Sequence, residues 1–174
     1  SAHANALSVA HRLLLIIVPR EAARVPALEA LILSQKNWGV GLEARNELPN
    51  QEIEVLIAGP EAYGLWYRLS PITFLGGSLY GEGCARNPFE AAAMGSALMH
   101  GPRPGAFGTY LGRLGAARAA VAVSTGQDLH EALTDLLSPD RAALHAQAAW
   151  AVASNGVDVT DQVVEMVRSA IGEA

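Results

Sequence analysis

Residues 13–18, Leu-Leu-Leu-Ile-Ile-Val, form an unbroken apolar run that Pro19 stops. A run without a polar face must be covered on both sides if it is a strand. Strands of that kind belong mostly to parallel sheets with helices packed above and below. Shorter apolar runs follow at 39–44, 53–58, 72–75, 97–100 and 119–123.

Between these runs, spacing and end signals predict helices at 25–34 (Pro26 in its first turn), at 61–69, at 88–94 closed by Gly95, at 107–114 closed by Gly115, and at 127–137. Strand and helix alternate, which is the pattern of right-handed βαβ crossovers. The chain is therefore expected to be a Rossmann-like α/β domain: an open, mostly parallel sheet with helices on both faces. In it the runs 13–18, 53–58, 72–75 and 97–100 should lie side by side, with their carboxyl ends on one edge. From Ser138-Pro139 onward only a helical pattern remains, with Ser138 as cap, a break at Asn155-Gly156 and a second helix from about 158 to 171. Residues 1–174 thus read as one domain, closed by terminal helices at 139–174. Residues 1–12 are an Ala-rich stub without an apolar period, and such a stub suggests a piece cut from a larger protein.

Composition narrows the function. Of 174 residues 51% are hydrophobic and 17% charged, which suits a chain that buries a core. Twelve Lys and Arg against 17 Asp and Glu give a net charge of −5, which argues against sequence-independent nucleic-acid binding. The single cysteine, Cys84, allows neither an intrachain disulfide nor a cysteine-rich metal site, so a reducing compartment and a structural thiol are the natural reading. No apolar run is long enough to span a bilayer and no signal-peptide pattern precedes the first strand, so the domain is expected to be soluble.

In open α/β sheets, ligands gather where strand carboxyl ends meet helix amino ends. Three loops end strands in this way: Pro19-Arg20, Gly59-Pro60-Glu61-Ala62, and residues 76–90. The third has four glycines in eight residues (Gly76, Gly77, Gly81 and Gly83), a composition that lets backbone approach a phosphate or sugar. Asn87-Pro88-Phe89-Glu90 then opens a helix. Glu90 has two readings there: the third-position partner of an Asn87 capping box, or a carboxylate accepting ribose hydroxyls. Arg86 and Arg103 flank the same loop and are either surface residues or anion ligands. His100 reads as a hydrogen-bonded strand-end residue, and His11, His130 and His145 as solvated or packing residues. Trp66 and Trp150 read as helix residues that pack. No metal-ligand spacing is present.

Taken in order, Pro19-Arg20, Gly64-Leu65-Trp66-Tyr67-Arg68-Leu69, Phe74-Leu75-Gly76-Gly77-Ser78-Leu79, Asn87-Pro88-Phe89-Glu90-Ala91-Ala92 and Gly101-Pro102 resemble the ordered signature of bacterial 3-deoxy-manno-octulosonic acid (Kdo) transferases, across residues 13–137. The resemblance implies the carboxy-terminal half of a GT-B glycosyltransferase, in which two Rossmann-like domains face each other across a cleft. The second of these holds CMP-Kdo, with neither metal nor cofactor. Carried onto this sequence, it implies nucleotide contacts at Pro19, Arg20, Pro60, Glu61, Ala62, Gly77, Asn87, Pro88, Phe89 and Glu90, with Arg20 on the phosphate or base and Glu90 on the ribose. It also implies that the catalytic base and the membrane contact belong to an amino-terminal domain outside this chain, so that this domain binds nucleotide without turning over. The acceptor would be a lipid A precursor in lipopolysaccharide biosynthesis, on the cytoplasmic side of the bacterial inner membrane.

The chain departs from the family pattern at four places, one of them before the first strand, where His3-Ala4-Asn5-Ala6-Leu7 stands for the family's His-x-Gly-Glu-Glu. Pro60-Glu61-Ala62 stands where the family has Met-Gly-Glu, Cys84-Ala85-Arg86 where it has Gly-Gly-His or Gly-Gly-Gln, and Pro102-Arg103 where it has Pro-His. Two rival readings stay open: a degenerate, non-catalytic binding module of the same shape, and a different GT-B sugar-nucleotide enzyme.

Overall fold

The structure, a computed structural model, describes residues 13–35, 38–47 and 49–171, with side chains as far as residue 155. The stub at 1–12, including His11, lies outside the described residues. The described residues form six strands: β1 (Leu15–Ile17), β2 (Val40–Leu42), β3 (Val55–Ile57), β4 (Ile72–Phe74), β5 (Ala97–His100) and β6 (Ala120–Ala122). Six α-helices accompany them: α1 (Val25–Ser34), α2 (Tyr63–Leu69), α3 (Pro88–Ala93), α4 (Gly108–Ala116), α5 (Gly126–Leu136) and α6 (Pro139–Ile171). Every strand pairing is parallel, and the expected Rossmann-like α/β class is borne out.

The apolar runs are packed on both faces, with β3 and most of β5 fully buried and β1 and β4 partly so. In one sheet Leu15, Ile17, Val55 and Ile57 meet Val25, Leu28 and Ile32 of α1, while Leu14, Ile16, Val18, Leu56 and Ala58 meet Trp66 of α2. In the other, Leu98 packs with Ala91 and Ala92 of α3, Leu111 and Leu114 of α4 and Ala149 of α6, whereas Ala97 and Met99 face Leu136 of α5 and Ala142 of α6. This odd–even division is the period of two of a strand. Leu98 and Leu114 are wholly buried, each contributing roughly 1.5–3 kcal/mol by removal of apolar surface from water.

Four local expectations are corrected. The single sheet is divided: the strands are ordered β1-β3-β2 and β4-β5-β6, and β1 and β4 are not paired. Both border a cavity of about 1280 Å³, with Tyr63, Trp66 and Tyr67 of α2 among the residues that line it. The run 39–44 yields a strand only at Val40–Leu42, because the chain then turns through a 3-10 segment (Glu43–Arg45) into a left-handed Asn46 with φ 57°. Helix α4 runs through Gly115 and ends where Arg118 takes φ 53°. A helical glycine costs only about 1 kcal/mol relative to alanine, too little to stop a helix by itself. The same reasoning covers the expected break at Asn155-Gly156. The backbone is one helix from Pro139 to Ile171, since propagation gains a hydrogen bond at each residue and no proline intervenes.

Candidate functional site

The loop after β3 is fixed from both sides. The Gly59 N–H donates to the Glu43 carboxylate at 2.7 Å, and Trp66 Nε1 donates to the Gly59 carbonyl at 3.3 Å. The 3-10 turn Pro60–Ala62 then delivers Tyr63 as the first residue of α2. The Tyr63 hydroxyl donates to the Val18 carbonyl at 3.4 Å, tying α2 to the chain as it leaves β1.

The glycine-rich loop after β4 is a built structure rather than a loose connection. Gly77, at φ 79°, accepts on its carbonyl the N–H groups of Gly81 (3.1 Å) and Gly83 (3.2 Å). The fully buried Ser78 donates its hydroxyl proton to the Leu75 carbonyl, and its oxygen accepts the Gly101 N–H at 2.8 Å. Arg103 closes the seam: its N–H donates to the Ser78 carbonyl (2.9 Å), its carbonyl accepts from Cys84 (3.0 Å), and its Nη1 donates to the Gly81 carbonyl (2.7 Å). A Cβ at Gly101 would run into the backbone of Ser78 and Leu79, so glycine is what permits this approach.

At the end of this loop Arg86 meets Glu90. Nε and Nη2 of Arg86 both donate to Glu90 Oε2, at 3.1 and 2.7 Å, and the guanidinium carbon sits 4.2 Å from the centroid of the Tyr63 ring. Burial works against the Arg86 charge, but the Glu90 carboxylate outweighs it and leaves the guanidinium pKa raised. Burial, then the Glu90 charge, pushes the neighbouring Tyr67 phenol up to about 12, so it stays a proton donor at any physiological pH. Both partners of the ion pair are roughly two-fifths exposed (42% and 39%), where such a pair is worth about 0–1 kcal/mol, so its significance is positional.

This pairing overturns the capping-box reading of Glu90. Asn87 does cap α3, its Oδ1 accepting the Phe89 N–H at 3.0 Å, but the Glu90 side chain goes to Arg86 and does not return to the Asn87 N–H. The capping box is found instead at α5, between Thr125 and Asp128.

Arg20, just past β1, lines the large cavity together with Gly76, Tyr80, Ala85 and Arg86. Glu90 lines a smaller hollow of about 280 Å³ with Gly64, Ala93 and Met94. Tyr63, Tyr67 and Arg86 border both, so Arg20 and Glu90 line separate spaces that share one aromatic–guanidinium wall. The other expected contacts, Pro19, Pro60, Glu61, Ala62, Gly77, Asn87, Pro88 and Phe89, line neither space. Pro88 is buried, and Phe89 turns away to an edge contact with Tyr110, 4.9 Å between centroids, under the Arg113 guanidinium. Tyr63 and Tyr67 were not singled out from the sequence. The signal was there, since a spacing of four on a helix puts both rings, 5.7 Å apart, on one face.

The remaining residues have local roles. His100 is bonded through Nδ1 to the Gly101 carbonyl at 2.8 Å. Cys84 is buried with Sγ 3.1 Å from the Arg86 carbonyl, and burial raises its thiol pKa, as befits an inert thiol. His130 and His145 each bury an Nδ1 that has no hydrogen-bond partner among the described residues. Trp66 packs in the core as expected, whereas Trp150 is 53% exposed and does not. Among the described residues no group of three or more His, Cys, Asp or Glu converges as a metal site, and no helix is long and apolar enough to cross a membrane.

Parallel three-stranded sheets covered by helices on both faces, with a largely apolar cavity between them that Arg20 and Arg86 also line, define a Rossmann-like α/β domain of the kind that forms the carboxy-terminal half of a GT-B glycosyltransferase. No family model matches the sequence. In three dimensions the chain is similar to the crystal structure of the C-terminal CMP-Kdo binding domain of WaaA from Acinetobacter baumannii. The TM-score is 0.77 and the identity 25%, over 87% of this chain and 79% of that one. The resemblance to a Kdo transferase carboxy-terminal domain that the five motifs carry is thus borne out in structure.

Proposed function

We propose that this chain is the donor-nucleotide-binding domain of a glycosyltransferase that transfers Kdo from CMP-Kdo to a lipid A precursor in lipopolysaccharide biosynthesis. The observation that carries this reading is the structural similarity to a CMP-Kdo binding domain. The wall of Tyr63 and Arg86, shared by the cavity that Arg20 lines and the hollow that Glu90 lines, supports it.

In this reading Glu90 accepts the ribose hydroxyls and Arg20 meets the phosphate or base. The Arg20 guanidinium stabilises the phosphate charge that grows as the glycosidic bond breaks, an electrostatic contribution made without metal or cofactor. The residue that takes the acceptor proton belongs to a second Rossmann-like domain, which also contacts the membrane at the cytoplasmic face. The isolated domain therefore binds donor without turning over.

Calorimetric titration with CMP, UMP, GMP and AMP tests this. A cytidine nucleotide should bind at least about tenfold more tightly than the others, a gap of about 1.4 kcal/mol. Binding of none would favour the non-catalytic module, a reading to which the engagement of Glu90 by Arg86 lends some weight. Preference for another base would favour a different GT-B enzyme.

A further inference from the structure

We propose that Arg86 is a second anion-binding residue of this site, taking the nucleotide phosphate while Glu90 beside it takes the ribose. The assignment rests on the nucleotide reading above and deepens it. Among the described residues lining the large cavity, the charges are those of Arg20 and Arg86, and no Asp or Glu lines it. Arg20 and Arg86 are thus the charged points on an otherwise largely apolar lining, and a nucleotide-activated ulosonic acid carries two anionic groups, a phosphate and a carboxylate.

The geometry around Arg86 separates the part of the guanidinium that is held from the part that is offered. Glu90 takes two of its five N–H donors, both on Oε2, and leaves Oε1 with no hydrogen bond from any described residue. The Tyr63 ring supports one face of the plane, and Tyr67 lies beside it. Arg86 is thereby fixed before any ligand arrives, which reduces the ordering cost of binding. Because Arg86 borders both spaces and Glu90 borders the smaller one, a phosphate on the guanidinium and a hydroxyl on Oε1 are neighbours, as they are in a nucleoside monophosphate. A guanidinium also matches phosphate bidentately in a way an ammonium does not.

The test compares CMP with cytidine, which differ only by the phosphate, on the wild-type chain and on Arg86→Gln, Arg86→Lys and Glu90→Gln. Arg86→Gln should weaken CMP about tenfold, the scale of one lost charge-assisted contact, and cytidine by less than about threefold. Arg86→Lys should recover part of the CMP affinity, and Glu90→Gln should weaken CMP and cytidine by similar factors. Melting curves confirm that each variant is folded. Equal losses for CMP and cytidine in Arg86→Gln would overturn the proposal, since Arg86 would then act only by positioning Glu90. Unchanged CMP binding in Arg86→Gln would overturn it too. A wild-type chain that binds neither compound would overturn the nucleotide reading itself, and this assignment with it.

Discussion

Arg86 and Glu90, one turn apart across the start of α3, share a single carboxylate oxygen, with the same guanidinium over the ring of Tyr63 from α2. That relationship joins the loop after β4 to the helix that follows β3, and the Tyr63 hydroxyl extends the link to the end of β1. Three loops far apart in sequence therefore meet through one aromatic ring.

Glu90→Gln is expected to separate binding from stability. The ion pair is half in water and the helix keeps its Asn87 cap, so the melting temperature should change little. An ionised carboxylate accepts hydroxyl protons more strongly than an amide, so CMP affinity should fall by about 1–2 kcal/mol, while the free base cytosine is unaffected. Calorimetry with both compounds reads this directly.

Two glycines should respond to alanine in opposite ways. At Gly101 an added Cβ meets the Ser78 carbonyl and the Leu79 backbone, so Gly101→Ala should cost about 1–3 kcal/mol or more in chemical denaturation. At Gly112, inside α4, it meets nothing within 4 Å, and Gly112→Ala should stabilise by about 0.4–1 kcal/mol.

Asp128 introduces a pH dependence. N–H donation from Ser124, followed by the Thr125 hydroxyl, holds its carboxyl below the usual value of 3.8. A folded-state pKa lower than the unfolded one adds stability that is complete above pH 3.8 and is lost as pH falls through the folded value. The melting-temperature gap between wild type and Asp128→Ala should therefore be constant at neutral pH and narrow below pH 3.8. A gap unchanged in acid would show that the carboxylate does not support the α5 cap.

Much of the fold was legible because local signals and burial agreed. The helix at 25–34 has the bounds expected from Pro26 and the apolar spacing, and β5 matches its run residue for residue. The division between β1 and β4 was not legible, since an apolar run tells that a strand is covered but not which strand lies beside it. The strand-end loops pointed to Arg20 and Glu90, the family resemblance gave Arg20 its phosphate or base role, and each lines one of the two spaces. The Arg86–Glu90 pair was hidden because Asn-Pro-Phe-Glu is also a complete helix start, and local capping signals do not reveal a competing side chain four residues upstream. Trp150 was misjudged because helical position alone does not say which face meets the core.

The central claim is that this chain holds a cytidine nucleotide at the junction of the loops after β1, β3 and β4. A backbone amide NMR titration of the labelled chain with CMP tests it most directly. Saturable shifts that follow one binding curve are expected at Arg20, Tyr63, Tyr80, Ala85, Arg86 and Glu90, with the exposed face around Trp150 unmoved. Shifts confined to α5 or α6, or no saturable shifts at any concentration of CMP, would contradict it.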